Sequence, residues 1–415
     1  MLLPSSLIEH IRCHLPGVDL DTELQNPDLN GSALELLGLL PDPRKRRGIR
    51  HPLHLLLSLA AAAQIANHNT YTQMNEYAVH LWATHPHWGK KFLHGPPSAD
   101  TFERIFAILD AGFFDLAQTQ WVTRKLSSET PPHDAEESFH QQPDFRVFSV
   151  DGKESRSAKH GAGTRSHNLA AADHATGVVI AQVAVGEKSN EIPYLKNLLE
   201  GIDEASPRFL PGAVITIDAL HTQRETARLI RRYGAEYVMT VKGNQPGLQT
   251  QCASFPWDQV PVTAVSEDWG HGRYVRRELK LVQPRGVLKL SWPWAMQVGQ
   301  LTRTAQRTAN GPITRETVFV VTSLPPGKLR APALNRMLQN HWGIENKVHY
   351  VRDTAFNEDK NQVRRGNAAR VRASLANLTM NILRLAGYEQ VSKTRRKAGR
   401  EPEFVSRLLQ GLPTR

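Results

Sequence analysis

The stretch "FRVFSVDG", residues 145–152, is rich in β-branched and aromatic residues and ends at the carboxylate of Asp151. This composition predicts a strand. The next apolar stretch, "HNLAAADHATGVVIAQVAVG" (167–186), predicts two strands joined by a turn at "DHATG". A helix is predicted over "EIPYLKNLLEGI" (191–202). The segment therefore begins with a strand, a hairpin and a helix.

Strands and helices continue to alternate along the chain. A buried strand is predicted in "GAVITIDAL" (212–220), and its apolar run ends at Asp218. A helix follows in "TQRETARLIRRYG" (222–234), and another strand is predicted in "AEYVMTVKG" (235–243). This alternation predicts an α/β fold.

Asp151 and Asp218 each follow an apolar strand. In α/β sheets, ligands bind in the crevice outside the carboxyl ends of the strands. An Asp at the end of a strand is also a common turn former or helix cap. Two such residues in one α/β unit favour a shared site, and oxygen ligands of this kind suit Mg²⁺ or Mn²⁺.

The remainder of the chain divides by composition around this unit. Residues 52–66 are apolar but too short to span a bilayer, which predicts a buried helix. The basic C-terminal segment is expected to be partly disordered. The predicted divisions are a helical N-terminal domain (1–126), a linker (127–144), the first part of the core (145–249), a β-rich block (250–326), a helical completion of the core (327–388) and a basic tail (389–415).

Charge and cysteine content limit the function classes. The 415 residues carry a net charge of +11, which favours a nucleic-acid partner. Only 2 cysteines are present, which excludes a disulfide scaffold and a Cys-rich zinc framework. The start of the sequence lacks the pattern of a signal peptide, so we expect a cytoplasmic protein without a membrane segment.

The stretch "HWGIENKVHYVRD", residues 341–353, places potential metal ligands four residues apart: His341, Glu345, His349 and Asp353. At helical spacing they fall near one stripe. They could form a zinc site, surround one catalytic carboxylate, or make up a solvated polar face. A zinc site here would leave Asp151 and Asp218 unexplained, so the shared-carboxylate interpretation is favoured.

Several motifs together resemble the DDE transposases of bacterial insertion sequences, in particular the ISAs-type or H-repeat-associated subgroup. The motifs are "FSVDGKESRSAKH", "HNLAAADHATGVVIAQVAVGEKSNEI", "VITIDALHTQ", "YVMTVKGNQPGL" and "HWGIENKVHYVRDTAFNED". The resemblance runs from about residue 40 to 386. It implies a ribonuclease-H-like catalytic core with a β-rich insertion before the catalytic Glu, preceded by a helical N-terminal domain.

The resemblance also implies a site and a reaction. Asp151, Asp218 and Glu345 would be the catalytic residues and would bind two Mg²⁺ ions, with Mn²⁺ as a substitute. The enzyme would cleave double-stranded DNA at the insertion-sequence ends and transfer the strands into target DNA, acting as a homodimer. The alternatives are a metal-dependent nuclease or domesticated recombinase, and an inactive DNA-binding relic.

Neighbouring polar residues are candidates for DNA contacts, although each could instead be a solvated or structural side chain. Related transposases place a basic residue where Arg352 stands, but the upstream part of that signature is absent here, where Leu338 and His341 occur. Trp342 and Trp88 are expected in the core. The candidate DNA-binding residues are Lys153, His221, Lys242, Asn244, Arg352, Arg364 and Arg365.

Overall fold

The computed structural model describes most of the chain. The N-terminal lead-in and most of the predicted linker lie outside the described residues. The residues that the structure describes are 31–85, 94–128, 145–159, 165–186, 190–270, 272–286, 289–307, 311–360 and 362–414.

The N-terminal region is helical where it is described. Ser32 and Thr70 begin two of the helices with capping boxes, in which side chain and backbone at the helix start satisfy each other. The predicted buried helix is confirmed, and no helix among the described residues is long and apolar enough to cross a membrane. The helices are α1 (Ala33–Gly38), α2 (Leu53–Ile65), α3 (Tyr71–Thr84), α4 (Ala99–Ile108) and α5 (Ala111–Ser128).

A nine-stranded sheet, in the order β3-β2-β1-β4-β5-β9-β8-β7-β6, forms the centre of the molecule. The first three strands pair antiparallel, whereas β1, β4 and β5 run parallel. This is the predicted ribonuclease-H-like arrangement. The elements of this half are β1 (Val147–Lys159), β2 (Arg165–Asp173), β3 (Val179–Val185), α6 (Tyr194–Ala205), β4 (Val214–Ile217), α7 (Arg224–Arg232), β5 (Glu236–Val241) and α8 (Pro246–Ala253).

The β-rich block extends the same sheet. Strand β9 pairs antiparallel with β5, so that Val238 lies opposite Thr322 and Val241 opposite Phe319. Each of the remaining strands then pairs with its sequence neighbour. The β5–β9 hydrogen bonds join the predicted core and the predicted insertion in one sheet. The boundary between these two regions therefore stays a prediction. The strands are β6 (Ala264–Gly270), β7 (Arg273–Val282), β8 (Gln297–Gln306) and β9 (Ile313–Thr322).

Helices complete the core after the sheet. α9 (Ala331–Asn340) packs on β6 and β7, and a π-helical turn (Ile344–His349) leads directly into α10 (Tyr350–Ala355). The buried helix α11 (Ala368–Leu385) covers β3, where the side chain of Asn381 bonds both the N–H and the C=O of Val179.

The C-terminal segment is folded, which corrects the expectation of partial disorder. It forms α12 (Val391–Ala398) and α13 (Pro402–Leu409). Arg395 is fully buried and donates to the backbone oxygens of Gln64 and Ala355 and, at 2.6 Å, to Oδ1 of Asn69. These contacts join α12 to the N-terminal helices and to the end of α10, and burial of the guanidinium holds its pKa below the usual range, at about 9.

Candidate metal centre

Asp151 and Asp218 lie at matching positions on adjacent parallel strands. Val150 of β1 is in register with Ile217 of β4, and each carboxylate belongs to the next residue along the chain. Asp218 is close enough for its charge to raise the pKa of Asp151. Asp218 directly follows β4, whereas Asp151 lies inside β1, which continues to Lys159 and does not end at Asp151 as predicted; the register of the two strands brings the residues together.

Glu345 approaches this edge from the π-helical turn, with a half-exposed side chain. Its Oε2 lies 2.9 Å from Nδ1 of His349, and the same nitrogen lies 3.6 Å from Oδ2 of Asp151. Potential ligand atoms of Asp151, Glu345 and His349 all lie within 4.8 Å of one another. Asp218 stands outside this group, on the β4 side of Asp151.

The carboxyl groups of the site differ in their proton affinity. Burial raises the pKa of Asp151 to about 6; His349 opposes this shift, and the charges of Glu191 and Asp218 reinforce it. The hydrogen bond with His349 lowers the pKa of Glu345, with a smaller contribution from Lys153. A dication would relieve the crowding of negative charge around Asp151.

Two histidines contact Thr216 of β4, which is located two residues before Asp218. Nδ1 of His341 and Nε2 of His174 each lie 3.0 Å from Oγ1 of Thr216. Burial lowers the pKa of His341 to about 4 and that of His174 to about 3, so both imidazoles are neutral at physiological pH. Asp218 Oδ1 accepts from the backbone N–H of His221 at 3.3 Å, which fixes the turn after β4.

Glu191, a buried carboxylate not singled out in the sequence, lies next to this centre. Its oxygens are 3.4 Å from Nε2 of His167 and 3.2 Å from Nε2 of His221. Burial alone would raise its pKa, but contacts with the two imidazoles hold the pKa at about 2. In sequence it is only an acidic residue preceding a helix, and its partners become visible only in three dimensions.

Three of the predicted DNA-binding side chains are engaged inside the protein. Lys153 is buried and bonds Asp353 Oδ2 at 2.8 Å. His221 is fully buried against Glu191. Neither Lys153 nor His221 therefore presents a free cation at the surface.

Arg352 is the third of these side chains, and it is 1% exposed. Its guanidinium makes two 2.6 Å bonds to Glu358 and a 3.0 Å bond to Oε1 of Gln182. The structure therefore gives no support to a phosphate contact by Arg352. The remaining candidates, Lys242, Asn244, Arg364 and Arg365, are exposed.

The tryptophan prediction is wrong for Trp342, whose side chain is 64% exposed. Tyr350, which directly follows the π-helical turn, is 62% exposed, and Leu220, in the turn after β4, is 44% exposed. Trp88 lies outside the described residues. Trp342 lies just before the π-helical turn that carries Glu345, so an exposed aromatic side chain adjoins this turn in the chain.

The ligand stripe of residues 341–353 is divided among three contacts. His341 contacts Thr216, Glu345 and His349 face Asp151, and Asp353 binds Lys153. The π-helical turn changes the angular spacing that an α-helix would give. These four side chains therefore do not form the self-contained zinc site that the spacing alone allowed.

Comparison with known proteins gives a consistent match. A family model described as "Transposase DDE domain" matches residues 102–382, and one described as "DDE_Tnp_1-associated" matches residues 34–122. The "Putative transposase YncI" of Escherichia coli O157:H7 is 26% identical over 373 residues, which covers 85% of this chain and 87% of that protein.

A second relative is the "H repeat-associated putative transposase YhhI" of Escherichia coli K12. It is 25% identical over 393 residues, covering 91% of this chain and 97% of that protein. Among solved structures, a cryo-EM structure of the piggyBac transposase synaptic complex with hairpin DNA matches at a TM-score of 0.40 and 12% identity. That match covers 91% of this chain and 77% of the piggyBac chain.

Proposed function

Because the chain belongs to the transposase DDE domain family, we propose that it cleaves DNA at insertion-sequence ends and joins the strands to target DNA. The proposed catalytic and metal-binding residues are Asp151, Asp218 and Glu345. The observation that carries this assignment is the register of β1 with β4, which places Asp151 beside Asp218, with Glu345 approaching Asp151.

The donor set fits two Mg²⁺ ions, with Mn²⁺ as a substitute, since carboxylate oxygens are the ligands these ions prefer. When bound, the ions would neutralise phosphate charge and lower the pKa of an attacking water or hydroxyl. Asp151 would hold metal together with Asp218 and Glu345, since it is close enough to feel the charge of Asp218 and has ligand atoms near those of Glu345. His349 would act chiefly as the hydrogen-bond partner that keeps Glu345 turned toward Asp151.

The proposed partner is double-stranded DNA, from the element ends and from the target. Net charge of +11 favours phosphate binding. Arg364 and Arg365 are exposed on the segment that follows Glu358–Lys360, which packs against β1. Lys242 and Asn244 are exposed after β5. We place the protein in the bacterial cytoplasm, acting as a homodimer that holds two element ends.

The proposal is tested with purified protein and a duplex carrying the ends of its own element. Cleavage and joining are expected in Mg²⁺ or Mn²⁺, and Asp218→Asn should abolish both. Asp258→Asn is the matched control because Asp258 is an exposed loop carboxylate. Equal activity in wild type and Asp218→Asn would overturn the site.

The same assay separates the alternatives. Cleavage without joining would favour a nuclease or domesticated recombinase. Binding without cleavage, under conditions where the protein is folded and metal is present, would favour a DNA-binding relic.

A further inference from the structure

Glu191 is a 7% exposed carboxylate that the proposed reaction does not use. It is located just before α6, whereas its partners come from other elements: His167 from β2 and His221 from the turn after β4. A buried carboxylate is retained only where its charge is compensated by such contacts. The position of Glu191 is therefore coupled to the positions of the residues that it contacts.

On one side, Glu191 rests on the backbone of Gly152. A Cβ at residue 152 would overlap Oε2 of Glu191 and lie 2.9 Å from Nε2 of His167. The glycine is needed here for space, since a side chain would displace the carboxylate. Gly152 directly follows Asp151 on β1, so the position of Glu191 is tied to that of the first catalytic carboxylate.

On the other side, Glu191 contacts His221, whose ring is fully buried. The backbone N–H of His221 donates to Oδ1 of Asp218. The next residue, Thr222, donates its hydroxyl to the backbone oxygens of Asp218 at 3.1 Å and Thr240 at 2.7 Å. The turn that presents Asp218 is thus held both from β5 and by Glu191.

We propose that Glu191 is a positioning residue that sets the separation of Asp151 and Asp218, through Gly152 on one side and His221 on the other. This inference rests on the proposed metal site. Glu191 touches the supports of both catalytic residues, and its fixed negative charge adds to the attraction for a dication. Partners of this kind, one contact away from the ligands, typically change metal affinity by about 10–100-fold.

The test is Mn²⁺ binding to the full-length protein, measured from the EPR signal of the free ion without DNA. Glu191→Gln keeps the size of the side chain and removes its charge, and we expect it to weaken Mn²⁺ binding about tenfold. Glu200→Gln on α6 is the matched control, since the Glu200 side chain is 40% exposed and forms a surface ion pair with Lys196. The thermal midpoint of each variant is measured alongside.

A rescue experiment distinguishes positioning from a general structural role. Gly152→Ala should weaken Mn²⁺ binding because the new methyl group displaces the carboxylate of Glu191. The double variant Gly152→Ala/Glu191→Ala lacks the carboxylate that the methyl group would overlap and keeps only the 2.9 Å contact with Nε2 of His167, so its affinity should lie close to that of Glu191→Ala alone. Fully additive losses would overturn the proposed contact between the two residues.

The outcomes also separate this inference from the function on which it rests. Wild-type Mn²⁺ affinity in Glu191→Gln, together with weakened binding in Asp218→Asn, overturns the role of Glu191 and leaves the metal site standing. Unchanged affinity in Asp218→Asn overturns both. Weakened binding in Glu191→Gln with an unchanged thermal midpoint supports the inference, even if Glu191→Ala fails to fold.

Discussion

The imidazole of His349 lies 2.9 Å from the carboxylate of Glu345, and the same nitrogen also faces Asp151. Glu345 is half-exposed, so this hydrogen bond restrains a side chain that would otherwise move freely in solvent. Nε2 of His349 is buried without a hydrogen-bond partner among the described residues. The imidazole therefore has its polar contacts on the side of the two carboxylates.

Replacing His349 with Ala should weaken metal binding and slow strand cleavage, each by about tenfold to a hundredfold. The reason is that Glu345 loses the partner that turns it toward Asp151. Calorimetric Mn²⁺ titration and a cleavage time course measure the two effects. The control is His54→Ala, an exposed histidine on α2. Wild-type values for both properties in His349→Ala would contradict the prediction.

Metal affinity should depend on pH through Asp151. Burial raises the pKa of this carboxyl to about 6, so below that pH the metal-free protein holds a proton there that a dication must displace. Affinity should therefore rise about tenfold per pH unit up to pH 6 and level off above it. Mn²⁺ titrations between pH 5 and 7.5 measure this, and a flat profile would refute it.

Replacing Arg352 should lower the stability of the protein and should have no direct effect on DNA binding. Arg352→Ala leaves the Glu358 carboxylate, whose side chain is only 10% exposed, without this partner, which should lower the free energy of unfolding by about 3–5 kcal/mol. Urea unfolding measures the loss. Arg208→Ala, at an exposed position before β4, should change stability by less than about 0.5 kcal/mol. A loss of DNA affinity with full stability would restore the phosphate-contact hypothesis.

Arg364 and Arg365 should contribute to DNA affinity through charge alone. Each change to Ala removes one phosphate contact and should reduce the slope of log affinity against log salt by about 0.9. Fluorescence anisotropy with a labelled duplex over a range of salt concentrations measures the slope. Arg208→Ala serves again as the control, since it lies before β4, at the sheet end opposite Asp218. An unchanged slope in both variants would exclude this surface from the interface.

Trp342→Ala should leave stability nearly unchanged, within about 0.5 kcal/mol, because the ring is mostly in solvent. A core tryptophan would cost about 3–5 kcal/mol. Urea unfolding distinguishes these values directly. Strand cleavage in the same variant then reports whether this exposed ring, three residues before Glu345 in the chain, contacts DNA, since its folding contribution is small.

Local patterns were sufficient for the strands that hold the site. Strand composition marks β1 and β4, and the apolar run of each ends at a carboxylate, so Asp151 and Asp218 could be paired before their register was known. Which strands become neighbours is not encoded in such patterns. The pairing of β9 with β5 therefore appeared only in the structure, and the β-rich block gave no sign that it extends the core sheet.

The burial of charged residues was not predicted from sequence where their partners lie in other parts of the chain. From sequence Arg352 was predicted to be a phosphate-binding cation, but in the fold its guanidinium bonds Glu358 and Gln182. Arg395 belongs to the basic segment that was predicted to be partly disordered, yet its partners come from positions 64, 69 and 355. Burial of a guanidinium depends on tertiary contacts that spacing and composition cannot reveal, and the same holds for Glu191.

The unbroken sheet has a geometric consequence for any DNA that spans both of its halves. Adjacent strands rotate by about 20–25° on average, so the steps from β5 through β9, β8 and β7 to β6 accumulate to about 90°. Strand β6 should therefore run nearly crosswise to β5, the strand next to the one that leads to Asp218. A DNA duplex aligned with the edge strand β6 would therefore cross the axis of β5 at a steep angle.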